Sequence, residues 1–144
     1  MRLLIRFLIT SISQCRTQAI VPIQSAEELG ELMQKSNEYL IIIDAHKKWC
    51  GPCEAMWPSF QSVRAKTPKH EKRMIVYSAE IESFDADIQK LLPADFKALN
   101  GRGCSPMFVL LRNGEVVAAV EGCNSPVVEA AMYKSMPPPV AGDD

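Results

Sequence analysis

Leu40-Ile41-Ile42-Ile43-Asp44-Ala45-His46-Lys47-Lys48-Trp49-Cys50-Gly51-Pro52-Cys53 is the stretch that decides the fold of this chain. Its first four residues form an unbroken apolar run rich in β-branched side chains, the pattern of a strand covered on both faces. Such a strand needs helices above and below it, which points to an α/β architecture. The acid Asp44 closes the run, and two cysteines separated by Gly51-Pro52 follow it. The segment after Cys50 reads as helical to about Lys66, with Pro58 as a kink inside it.

Working outward, Ala19 to Gln24 predicts a short strand that Pro22 assigns to a sheet edge. Ser25-Ala26-Glu27-Glu28 has the Ser-x-x-Glu form of a capping box and opens a helix through about Lys35. Met74 to Ala79 predicts another strand, and Asp87 to Leu99 a helix broken near Pro93. Met107–Leu111 and Val116–Val120 flank Asn113-Gly114, a strong hairpin signal. Ser125 is placed to cap a last helix ending near Lys134. The order β-α-β-α-β-α-β-β-α predicts one α/β domain, a mixed central sheet with helices on both faces. Three segments result: an N-terminal arm over 1–18, the domain over 19–135, and a Pro-rich, polyproline-like flexible tail over 136–144.

With 47% hydrophobic and 23% charged residues, the chain of 144 residues has an ordinary globular composition. Its net charge of -1 lacks the basic field of a nucleic-acid binder. Met1 to Ala19 carries Arg2, Arg6 and Arg16 and no acid. Arg6 interrupts the apolar run a secretory signal needs, and the segment is too short and too charged to span a bilayer. A retained arm that docks on a partner and a mitochondrial presequence both remain open. The five cysteines, Cys15, Cys50, Cys53, Cys104 and Cys123, are too scattered for the disulfide framework of a small secreted domain. Reactive thiols in a reducing compartment fit better.

Two cysteines at this spacing, at a helix start, have a specific chemistry. Converging helix amides stabilise the thiolate of Cys50, which can attack a disulfide. Cys53 can then resolve the mixed disulfide. Gly51 and Pro52 restrain the intervening loop. The competing zinc reading lacks a second paired-ligand motif, so no metal and no cofactor beyond a reversible Cys50–Cys53 disulfide is expected. On an apolar strand, desolvation would raise the pKa of Asp44 and suit it to hold a proton near neutral pH. An Asp44 open to water at the strand end is the alternative.

Trp49-Cys50-Gly51-Pro52-Cys53 resembles the active-site signature of the thioredoxin family, and the resemblance runs from about Ile20 to Lys134. It implies a thioredoxin fold and thiol–disulfide exchange on protein disulfides, with a thioredoxin reductase as a possible electron source. By the same resemblance Asp44 matches the buried acid that relays protons to the resolving cysteine. Pro58 matches the kink of the active-site helix and Pro106 the family's cis-proline. Ser105 would bind an incoming peptide through its backbone, opposite Gly122. His46 stands where an aromatic residue is usual, Glu54 where Lys is common, and Ser78 where a lysine often neighbours the acid. His46 either tunes the dithiol or is simply a satisfied polar residue. Cys104 resembles an extra cysteine of animal cytosolic and ciliary relatives. It is either a possible regulatory thiol able to form a disulfide or a small hydrophobe in a loop, and Cys123, next to Gly122, has the same two readings. Cys15 has no readable role.

A narrower resemblance involves Gly103-Cys104-Ser105-Pro106-Met107-Phe108, Glu121-Gly122-Cys123-Asn124-Ser125-Pro126 and Ala45-His46-Lys47-Lys48-Trp49. These segments are similar to the thioredoxin-like light chains of axonemal outer-arm dynein. That resemblance implies a cytoskeletal subunit of a cilium or flagellum, bound to a dynein heavy chain or docking protein. The alternative it leaves is a free cytosolic or mitochondrial disulfide reductase.

Overall fold

A computed structural model of the chain describes residues 20–48, 54–91 and 105–141. Five strands form one mixed sheet: β1 (Val21–Pro22), β2 (Leu40–His46), β3 (Met74–Glu80), β4 (Met107–Arg112) and β5 (Glu115–Glu121). Their order is β1-β3-β2-β4-β5. β2 lies at the centre, parallel to β3 and antiparallel to β4. Every residue of β2 is buried, as its apolar run predicts.

Alternation along β2 splits the core in two. Ile41, Ile43 and Ala45 pack with Leu29, Leu32, Phe84 and Ile88 from helices α1 (Ala26–Lys35) and α3 (Ile81–Leu91). Leu40 and Ile42 pack with Phe60, Val63, Val128 and Met132 from α2 (Trp57–Lys66) and α4 (Ser125–Ser135). Helices therefore cover both faces of the mixed sheet, in agreement with the expected architecture. Phe60 and Phe108 bridge helix and sheet edge-to-face, with ring centroids 6.1 Å apart.

The cap of α1 is close to the expected box. Ser25 Oγ accepts from the Glu28 amide at 3.2 Å, while the Glu28 carboxylate takes the amide of Gln24, one residue before the cap. Asn113 and Gly114 both have positive φ, 54° and 74°, as the two-residue hairpin turn requires. β1 is shorter than predicted and pairs only with β3, so Pro22 does sit at an edge.

Four expectations need correction. Pro58 does not kink one continuous helix: a 3-10 turn over Glu54–Met56 ends and α2 starts afresh with Pro58 in its first turn. A missing N–H costs nothing there, because first-turn amides have no helical acceptor. Helical structure begins at Ile81, directly after β3 and ahead of the expected Asp87, but it is broken at Phe84, whose φ of -128° and ψ of 17° are not helical, and resumes beyond it close to the expected start. Ile81, Phe84 and Ile88 supply its buried stripe. Asn124, not Ser125, occupies the cap position of α4, and the Ser125 hydroxyl instead donates to Met56 Sδ at 3.3 Å. Finally, the first residues of the Pro-rich tail are docked: Met136 packs on the core, Pro137 is buried, and Arg73 Nε donates to the Pro137 carbonyl at 2.8 Å.

The arm over 1–18 and the interruption expected near Pro93 lie outside the described residues. Among the described residues, no helix is long and apolar enough to cross a membrane.

Candidate active site

The sheet topology gathers chemistry at one end. The C-terminal ends of β2 and β5 and the N-terminal end of β4 lie together, since β4 runs antiparallel to both. Asp44 and His46 come from β2, Ser105 and Pro106 from the approach to β4, and Gly122 from the residue after β5. Trp49, Cys50, Gly51, Pro52, Cys53 and Cys104 lie outside the described residues. Lys48 and Glu54, which bracket the two-cysteine motif, are described.

Asp44 is 0% exposed, which rules out the water-exposed strand end. It has the same parity as Leu40 and Ile42 and so lies on the sheet face covered by α2 and α4. Ser78 of β3 and Phe108 of β4 stand beside it in register. Ser78, itself buried, thus neighbours the acid as the sequence comparison implied. Burial disfavours the charged form of a carboxyl, so this environment suits a group that takes up and gives back a proton.

His46, two residues on, is on the same face and 5% exposed. Its Nδ1 lies 3.2 Å from the Asp44 carbonyl oxygen and 4.0 Å from Asp44 Oδ1. The chain then passes to Lys48, whose amide donates to the Glu82 carboxylate at 2.9 Å. Hydrogen bonds from the Glu82 and Lys48 amides hold the pKa of Glu82 below the ordinary glutamate value. Glu82 therefore fixes the approach to the cysteines from α3, a role the sequence did not signal.

Across the site, the Gly122 amide donates to the Pro106 carbonyl at 2.8 Å. Gly122 has φ of 73°, which L side chains rarely adopt, and a Cβ there would meet Ser105 Oγ at 3.5 Å. The pairing of Ser105-Pro106 with Gly122 is thus present. No peptide bond among the described residues is cis, however, so the cis form expected at Pro106 is not found. The trans form is the intrinsically favoured one for an X–Pro bond by about 0.5–1 kcal/mol. Cys123, exposed beside Gly122, is disulfide-bonded. That decides between its two readings in favour of the disulfide.

A central mixed sheet with a buried acid on its middle strand, a two-cysteine motif just beyond, and a proline–glycine corner opposite defines the thioredoxin class of fold. The thioredoxin family model matches residues 20–134, and the chain belongs to that family. It is 30% identical over 112 residues to the thioredoxin domain-containing protein 3 homolog of Ciona intestinalis, covering 78% of this chain and 15% of that protein. The human thioredoxin domain-containing protein 3 is 33% identical over 98 residues, 68% of this chain and 14% of its own length. The chain thus spans only a small part of these relatives. Among solved structures, thioredoxin NaTrxh from Nicotiana alata superposes with a TM-score of 0.59 at 22% identity, covering 82% of this chain and 93% of that one.

Proposed function

We propose that the chain performs thiol–disulfide exchange on protein disulfides through Cys50 and Cys53, with Asp44 as the proton store. Complete burial of Asp44 on the strand that leads into the motif is the observation that carries this reading. The Cys50 thiolate attacks one sulfur of a substrate disulfide, forming a mixed disulfide and releasing the other substrate sulfur as a thiolate. The Asp44 carboxylate takes the proton of the Cys53 thiol, and the Cys53 thiolate attacks the Cys50 sulfur. The second substrate sulfur leaves, and the Cys50–Cys53 disulfide holds the oxidation; no other cofactor is needed. An external dithiol or a thioredoxin reductase returns the electron pair. Trp49, Gly51 and Pro52 shape the motif, and Ser105, Pro106 and Gly122 form the corner against which substrate backbone adds as a short strand. Cys104, the residue before Ser105 in sequence, serves as a regulatory thiol.

The finer reading is a redox-sensitive light chain of axonemal outer-arm dynein, in contact with a heavy chain or docking protein of a cilium or flagellum. It rests on the similarity of the Ala45–Trp49, Gly103–Phe108 and Glu121–Pro126 segments to those light chains. The long relatives are compatible with a module that works inside a larger assembly. A free cytosolic or mitochondrial reductase is the competing reading.

Reduction of insulin disulfides by dithiothreitol should accelerate with the wild-type chain and lose that acceleration in Cys50→Ser. A wild-type chain without effect would refute the exchange activity. Cys53→Ser should trap mixed disulfides on Cys50, and motor subunits should be prominent among the trapped partners. A trapped set of scattered soluble enzymes would leave the free reductase.

A further inference from the structure

We propose that His46 is a proton-relay residue, carrying protons between the adjoining cavity and the Asp44 carboxyl. This rests on the reading of Asp44 as the proton store and names the route by which that store fills and empties. Asp44 is fully buried and is not among the residues that line the cavity between β1 and β3. His46 does: with Ser78, Glu80 and Ser83 it lines a cavity of about 470 Å³, roomy and polar enough for water. The histidine therefore stands between the acid and the solvent-accessible space.

The ring geometry sets the direction of transfer. A backbone carbonyl only accepts, so the 3.2 Å contact from Nδ1 to the Asp44 oxygen requires the proton on Nδ1. Nε2 is then the basic nitrogen. In the filling direction, hydronium in the cavity water gives its proton to Nε2 and the Nδ1 proton passes to Asp44 Oδ1, 4.0 Å away in the resting arrangement. The products are water, a neutral carboxyl and a neutral imidazole protonated on Nε2. After Asp44 has taken the Cys53 proton, the reverse sequence empties the store: the carboxyl returns its proton to Nδ1 and Nε2 releases one to cavity water as hydronium. No electrons move. A ring shift of about 1 Å brings Nδ1 to hydrogen-bond distance of Oδ1.

Among the described residues, the charged groups around His46 are few. Glu80 of β3 is its register partner, Glu82 of α3 and Lys47 are the other nearby charges, and Asp44 lies on its own strand. The β1 side of the cavity contributes Pro22, Ile23 and Gln24, none titratable, and β4 brings Met107 and Phe108 to β2.

The test uses the full chain, insulin reduction by dithiothreitol, and rates across about pH 5 to 9, the span that contains imidazole titration. His46→Phe should lower the rate on the order of tenfold near neutrality, a modest share of what positioned proton transfer contributes. Its rate–pH profile should change shape. His46→Ala should recover in added imidazole, which the enlarged cavity admits. In an Asp44→Asn background, His46→Phe should add nothing. Should His46→Phe not fold, His46→Gln keeps a donor for the Asp44 carbonyl, cannot relay, and should show the same loss. Unchanged profiles without imidazole rescue, in protein whose turnover depends on Asp44, would overturn the relay alone. Absent wild-type turnover, or turnover indifferent to Asp44, would overturn the relay together with the reading beneath it.

Discussion

The two ends of the sheet use polar groups in opposite ways. At the hairpin end, Arg112 Nη1 donates to the carbonyls of Ser36 and Asn37 at 2.8 and 2.7 Å. The Asn113 amide donates to the Ser36 carbonyl and the Gly114 amide to the Ser36 hydroxyl. A cation and two turn amides thus close the C-terminal end of α1, where carbonyls and the helix dipole call for donors. At the other end, a carboxyl and an imidazole are buried on one strand, and a glycine with positive φ faces the approach to β4. Polar groups that satisfy one another lock an end in place; burying ionisable groups costs stability.

Breaking what the two ends share should have the largest effect. Phe108 is fully buried, stands in register with Asp44 and meets Phe60 edge-to-face. Phe108→Ala should lower unfolding free energy by about 3–5 kcal/mol in urea titrations, with exchange activity falling as well. Arg112→Ala should separate the ends. It removes two charge-assisted bonds and should cost about 1.5–3 kcal/mol while insulin reduction stays at the wild-type rate. Asp44→Asn is its mirror image: the rate falls, yet stability at neutral pH holds or rises, because an ionisable group has left a fully buried position.

The two glycines sharpen the contrast. Gly114→Ala and Gly122→Ala each force a side chain into left-handed backbone and should each cost about 1–2 kcal/mol. Only Gly122→Ala should slow reduction of protein disulfides, since its methyl projects to 3.5 Å from Ser105 Oγ. Smallest is Glu82→Gln. The lowered carboxylate pKa means that the wild-type advantage is present above the ordinary glutamate value of 4.5 and is lost as pH falls through the folded-state value. Because the group is fully exposed, the difference in Tm should be slight, and it should vanish in acid.

The central strand and the hairpin were legible because each has a local cause. An unbroken β-branched run can only be a doubly covered strand, and Asn-Gly suits two positive φ values in succession. Burial of Asp44 followed from the same run. The start of α3 was hidden because Glu80-Ile81 passes from strand to helix with no capping residue between. The hydroxyl of Ser125 resembled a cap, but a sulfur acceptor on another element claimed it. The anchoring of Lys48 by Glu82 leaves no mark in sequence, because it depends on which segments the sheet brings together.

β1 has a consequence for breathing of the native state. It is two residues long, is paired on one side only, and supplies one wall of the cavity beside His46. Short edge elements open with far smaller free energies than central strands. Fraying of this edge would widen the cavity beside His46 while β2 stays paired on both sides. The Ile23 amide, bonded to the Ser78 carbonyl at 2.8 Å, is the hydrogen-exchange reporter of that opening. Its protection should be much lower than that of the β2 amides.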